Sequence, residues 1–169
     1  MEFVQPIRNL KQIEIIKKLL KSQNMRDYCL FVLGINSGLR ISDLLKLRTS
    51  DIAENGKIKD RIRLREKKTN KFKDFPLSTS TKSALKDYLK TRNYTEDEPL
   101  FISRKNKGSL LRQQAYKIIN DVAKSVGIKE RVGTHTLRKT FGYHAYNNGY
   151  DITLIQKLFN HSSPAVTLR

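Results

Sequence analysis

Acidic residues are scarce in this chain: 16 Asp and Glu stand against 34 Lys and Arg over 169 residues, for a formal net charge of +18. The imbalance points to a polyanionic partner, because clustered Lys and Arg release counterions from a phosphate backbone. The same surplus also suits a solubility surface or a ribosome-associated protein, so charge alone says nothing about chemistry. Cysteine is nearly absent as well. Cys29, the one present, sits in the apolar run "YCLFVLGI" and reads as a small buried hydrophobe in a reducing compartment; no disulfide framework is possible. The three histidines lack zinc spacing, and no metal or cofactor site is expected. No stretch approaches the roughly 18 apolar residues of a membrane span. The start "MEFVQPIRNLKQIEI" lacks the apolar centre of a secretory signal. Neither repeats nor low-complexity linkers occur, and the length fits one domain over residues 1–169.

What the sequence does contain is mostly helical periodicity. Asn9 can cap a helix carrying Leu10, Ile13, Ile16, Leu19 and Leu20, and a more apolar helix over 26–36 stops at Ser37-Gly38. Ser42 looks like the cap of a third helix, "SDLLKLRTSDI". In "DRIRLREKKTNKFKDFPL" the period changes to two, and Thr69-Asn70 divides the run, which predicts a β-hairpin with a wet, basic face. Helices return in "TKSALKDYLKTR" and "RQQAYKIINDVAKSVG". Thr134 is expected to cap a helix over 135–148, and Asp151 one over 152–159. The fold class expected is mainly α with a small antiparallel β-sheet, α+β.

Three places hold polar residues that packing does not require. In "SGLRISDLLKL", Arg40 stands between a helix stop and a helix start, flanked by inward-facing Leu39 and Ile41. A surface arginine near a helix C-terminus would look the same locally. Asp43 can accept hydrogen bonds from Arg40 or serve the first turn of the next helix. In "THTLRKTFGYH", His135 and Arg138 are three apart and share a helix face, so they can converge on one anion. His144 reads as a packing or surface histidine. In "KLFNHSSPA", His161 marks a junction of two helices, where a capping or core histidine also fits.

Taken in order, "SGLRISDLLKL", "KKTNK", "HTLRKTF" and the later "NG-D---IQ-L--H" pattern resemble the tyrosine recombinase family, the phage integrases and related site-specific recombinases. The resemblance runs over the whole chain and implies DNA strand exchange through a 3′-phosphotyrosyl intermediate, without metal or cofactor. It assigns Arg40 and Arg138 as clamps on the scissile phosphate, since planar guanidinium groups give bidentate hydrogen bonds to its oxygens. It also assigns His135 as acid/base or hydrogen-bond partner, His161 as a further donor, and Asp43 as support for a site cation. Lys139 stands where many relatives carry another histidine.

The family's hairpin lysine, the acid for the leaving 5′-oxygen, precedes the turn, and Lys68 fits best. Parity agrees if the strand runs straight into the turn, placing Ile62, Leu64, Glu66 and Lys68 on one inward face. Lys67, Lys71 and Lys139 are expected to touch DNA backbone. The nucleophilic tyrosine is expected just after Arg169, which makes the chain a catalytic domain without its attacking group and without the family's N-terminal clamp domain. Double-stranded DNA at specific sites is the expected partner, with a tetramer on paired sites for the parent and a monomer for the chain alone. A bacterial or phage-encoded protein acting in the cytoplasm is expected. A rival reading takes "DITLIQKLFNHSSPAVTLR" as a helix-turn-helix, making the protein a DNA-binding regulator with no active site.

Overall fold

The computed structural model describes residues 3–95 and 97–167. Helix α1 (Leu10–Gln23) begins where Asn9 accepts from the N–H groups of Lys11 and Gln12, and it buries Ile13, Ile16 and Leu20. Asn24 ends it and caps α2 (Met25–Ser37) in the same way. Because Cys29 through Gly34 are all buried, α2 forms the centre of the core, packed against α1 and against two later helices. Gly38, at φ +67°, closes α2 in the left-handed conformation that glycine adopts without penalty.

The expected third helix is two short ones, α3 (Ile41–Leu45) and α4 (Thr49–Ile52), and Arg40 rather than Ser42 occupies the N-cap. A later segment causes the break. Leu100 N–H donates to Leu47 O, Thr49 N–H to Glu98 O, and the Thr49 hydroxyl to Thr95 O, so 47–49 pairs sideways instead of coiling.

Strands β1 (Ala53–Glu54) and β2 (Lys57–Ile58) form a minimal hairpin. Strands β3 (Arg61–Arg65) and β4 (Phe72–Pro76) form the expected larger one, antiparallel from Arg61–Pro76 to Arg65–Phe72. Ile62 and Leu64 point inward from β3, and Lys73 and Phe75 from β4, while the arginines face water. Among the described residues the sheet is therefore two separate ribbons.

Helices α5 (Thr79–Lys90), α6 (Arg112–Ser125), α7 (Thr136–Asn147), α8 (Ile152–Leu158) and α9 (Pro164–Thr167) complete a mostly helical domain. His135, not Thr134, stands at the N-cap of α7. The core runs through Ile16, Leu30, Phe31, Leu33, Leu44, Ile62, Leu85 and Phe101, all essentially without exposure. Each such side chain contributes about 1.5–3 kcal/mol by burial. The Cys29 thiol lies inside this core, which pushes its pKa up and leaves it a hydrophobe in practice. No described helix is long and apolar enough to cross a membrane.

Candidate active site

The site is built where α7 crosses the end of α2. A Cβ on Gly34 would lie 2.5 Å from Leu137 Cδ1, so only glycine lets α7 come this close. With Leu137 locked there, the next residue, Arg138, reaches back to the loop after α2. Its Nη1 donates to Gly38 O at 2.8 Å and its Nη2 to Phe159 O at 2.7 Å, and its guanidinium lies 4.1 Å over the Phe159 ring. Both bonded partners are uncharged carbonyls. Among the described residues no carboxylate comes within ion-pair distance, so Glu66 and Asp43 offset the charge only through space. Burial, then repulsion from Arg40, lowers the Arg138 pKa to about 10, and the group stays charged at neutral pH.

His161 lies between α8 and α9. Its ring stands edge-on to Phe159, Nε2 is 3.5 Å from Arg138 Nη2, and Nδ1 is 2.9 Å from the Thr167 hydroxyl. A guanidinium can only donate, so the network assigns Nε2 as acceptor and places the ring hydrogen on Nδ1, donated to Thr167. Partial burial, then the nearby charges of Arg138 and Arg40, push the pKa down to about 4, so the ring is neutral at pH 7.

Arg40 enters from the N-cap of α3 and donates to Glu66 Oε2, whose side chain is fully buried just past β3. The other Glu66 oxygen accepts from the Asn160 amide and, at 3.3 Å, from the Thr69 hydroxyl. Glu66 thus ties together the loop after α2, the hairpin turn and the corner after α8, where Asn160 adopts φ +55°. Asp43 does not take this role. Its Oδ1 accepts from Lys67 N–H at 3.1 Å and pairs with Lys46 Nζ at 3.2 Å, while Oδ2 is buried with no hydrogen-bond partner.

The other expected residues divide. Strand β3 ends at Arg65, so the parity argument for Lys68 does not extend to it: Lys68 is exposed in the turn. It is nonetheless near enough for its charge to lower the pKa of both His135 and His161. His135 sits at the edge of the site. Loss of solvent, then Arg112, Lys139, Arg138 and Lys68, depress its pKa. Lys67 and Lys71 are exposed on the turn. Lys139 is not free to reach outward, because Nζ donates to Val4 O at 2.9 Å and lies 5.3 Å over the Phe3 ring. His144 packs, with Nε2 2.9 Å from Ile7 O.

Two residues of the cluster escaped the sequence reading as site residues, Glu66 and Lys73. Lys73, on β4, is 6% exposed and its Nζ has no hydrogen-bond partner. The signal was available: both are charged residues at inward positions of an alternating hairpin.

The arrangement gathers Arg40, Arg138, His161, Glu66 and Lys73 from five separated stretches, with Lys68 and His135 at its rim. All five are bonded to one another or lie against the Phe159 ring, and cations outnumber carboxylates. Such a site can bind a phosphate and stabilise charge building on its oxygens.

Comparison with known proteins gives consistent matches. The phage integrase family model matches residues 8–169. A probable integrase/recombinase of Bacillus subtilis, YoeC, is 44% identical over 169 residues, covering 100% of this chain and 90% of that protein. Tyrosine recombinase XerC of Thermodesulfovibrio yellowstonii is 34% identical over 152 residues, covering 84% of this chain and 48% of its own length. This chain thus spans about half of that longer relative. In fold it is similar to the crystal structure of XerA recombinase, with a TM-score of 0.79 at 24% identity, covering 99% of this chain and 59% of that one. The XerH recombinase bound to its palindromic difH substrate, a post-cleavage complex, gives 0.76 at 22% identity, covering 99% and 49%.

Proposed function

The chain belongs to the phage integrase family of tyrosine recombinases, and from that premise we propose that it forms the phosphate-activating part of a site-specific DNA recombinase. Arg138 carries the inference: a buried guanidinium bonded to uncharged carbonyls and a histidine, with its charge left for an incoming anion. Arg40, fixed by Glu66, stands as the second clamp on the scissile phosphate.

In the proposed reaction a tyrosine oxygen attacks phosphorus, the bond to the 5′-oxygen breaks, and a 3′-phosphotyrosyl bond forms. Lys68 gives the proton that the leaving 5′-oxygen takes up, and the arginines stabilise the negative charge on the non-bridging oxygens. His135, beside the nucleophile, takes up the phenol proton as acid/base, or as hydrogen-bond partner passes it to solvent. His161, which the resemblance makes a further donor to the phosphate, is neutral at pH 7 with Nε2 toward Arg138 and Nδ1 toward Thr167, so its support in this arrangement goes through Arg138. Rejoining reverses these steps with a new 5′-hydroxyl. The chain is read as a single catalytic domain. The partner is double-stranded DNA, with assembly as a tetramer on paired sites in the bacterial cytoplasm.

The test is a nicked duplex carrying the recombination site, offered to the full-length protein. A covalent protein–DNA adduct that is lost on Arg138→Gln is expected. An adduct of undiminished yield from Arg138→Gln would overturn the assignment.

A further inference from the structure

Near Phe159, the ring on which Arg138 stacks, lies a cation to which the resemblance gives no role. Lys73 projects inward from β4, opposite Leu64 of β3. Its Nζ lies 5.8 Å from the Phe75 ring and 5.9 Å from the Phe159 ring, the ring over which Arg138 also stacks. It makes no hydrogen bond, and no described carboxylate forms an ion pair with it. Leaving a buried ammonium without a partner is costly, and a lysine of this length normally carries its charge out to water. The Asp43 carboxylate in the same cluster has an equally unpartnered buried oxygen. A buried ammonium and a buried carboxylate oxygen that each lack a hydrogen-bond partner are a poor way to stabilise a fold, even with the other Asp43 oxygen paired with Lys46. They suit a site whose charge balance is completed by a ligand.

We propose that Lys73 is a further positioning residue of this site, an ammonium without a hydrogen-bond partner that acts together with Arg138 and Arg40 to hold a phosphodiester by its buried positive charge. The proposal rests on the phosphate-site reading above. The groups facing Lys73 are Arg138 of α7, Arg40 and Asp43 of α3, and Glu66 after β3. Burial, then repulsion from Arg138, lowers the Lys73 pKa to about 8, with Glu66 and Asp43 opposing the fall. The ammonium is therefore charged at pH 7, and its charge is lost as pH rises through about 8. His161, down to about 4, and Arg138, at about 10, do not change charge in that interval.

The experiment is sulfate binding by calorimetry from about pH 7 to 9, a range in which sulfate itself does not titrate, with wild-type protein, Lys73→Met, Lys73→Arg and Arg138→Gln. Wild-type affinity is expected to fall across this range. Lys73→Met should weaken binding about tenfold at the low end and flatten the profile, as expected for one enclosed charge. Lys73→Arg should retain affinity without the fall. Unchanged affinity and profile in Lys73→Met, with binding lost in Arg138→Gln, overturns the role of Lys73 alone. Unchanged binding in Arg138→Gln overturns the phosphate site itself. If Lys73→Met does not fold, the other proteins decide: a flat wild-type profile, or the same fall in Lys73→Arg, overturns the proposal.

Discussion

Glu66 closes on Arg40 from the hairpin, with its carboxylate fully enclosed and one oxygen accepting from the guanidinium. Its other oxygen holds the Asn160 amide, so a single carboxylate joins segments 26 and 94 residues apart along the chain. An arginine that must meet a phosphate in one orientation gains from such a brace, because its rotamers are fixed before the anion arrives.

Glu66→Ala leaves the mostly enclosed Arg40, 13% exposed, without its counter-ion and orphans the Asn160 amide. Breaking a buried pair from one side costs about 3–5 kcal/mol, and the partial exposure of Arg40 places the expected loss near the lower end. Urea unfolding monitored by circular dichroism checks this, with Glu66→Gln expected to lose less because it can still accept from Asn160. A loss under about 1 kcal/mol for the alanine variant would show that the brace is not structural.

Much of the architecture was legible locally. Asn9, Asp151 and the Gly38 stop are encoded by residue type, and β3–β4 by its period of two, because each depends on neighbours only a few positions away. The break between α3 and α4 was hidden. It depends on pairing with residues 95–100, a contact nearly fifty positions away that no helical pattern announces. The site divided in the same manner. Motifs name Arg40, Arg138 and His161, and local spacing offers Asp43 either as an acceptor for Arg40 or as a first-turn residue of the next helix, whereas the fold supplies Glu66 as the acceptor. The orientation of Lys68 failed because parity holds only while a strand lasts, and this one ends at Arg65.

Gly38 answers two demands at once. Its φ of +67° disfavours a side chain, and an added Cβ would come within 2.6 Å of Phe141 Cδ1 and 2.8 Å of Phe159 Cε1. Asn tolerates the backbone angle but not the collision. Both Gly38→Ala and Gly38→Asn are therefore expected to destabilise by about 2–3 kcal/mol in thermal or urea unfolding, with displacement of Phe159 carrying Arg138 with it. Near-wild-type stability for Gly38→Asn would mean that the angle, and not the aromatic contact, is the constraint.

The depressed pKa of His161 has a signed consequence. The unfolded histidine takes up a proton near pH 6.5, whereas the folded one resists until about 4. Between these values the unfolded state binds more protons, so stability falls as pH falls. His135 shifts in the same direction and adds to the slope. Melting temperatures from pH 7 to 4 should decline more steeply for wild type than for His161→Gln, which cannot titrate. Equal slopes would place His161 in a more solvated setting than the one between Phe159, Arg138 and Thr167.

The surface lysines allow a sharper separation than charge counting does. Lys67 and Lys71 are exposed on the hairpin turn, free to meet a phosphate backbone, while Lys139 is engaged with Val4 O and Phe3. Each phosphate contact contributes about 0.9 to the slope of log affinity against log salt. With a duplex DNA titrated by fluorescence anisotropy at several salt concentrations, Lys67→Ala and Lys71→Ala should each reduce that slope by about this amount. Lys139→Ala should leave it unchanged, since a lysine already bound to a backbone carbonyl releases no counterion from DNA. Its loss should appear instead as modestly lower stability, because the N-terminal segment gives up one of its ties to α7 and keeps those of Ile7 to Thr140 and His144. A reduced slope in Lys139→Ala would mean that its ammonium leaves Val4 when DNA binds.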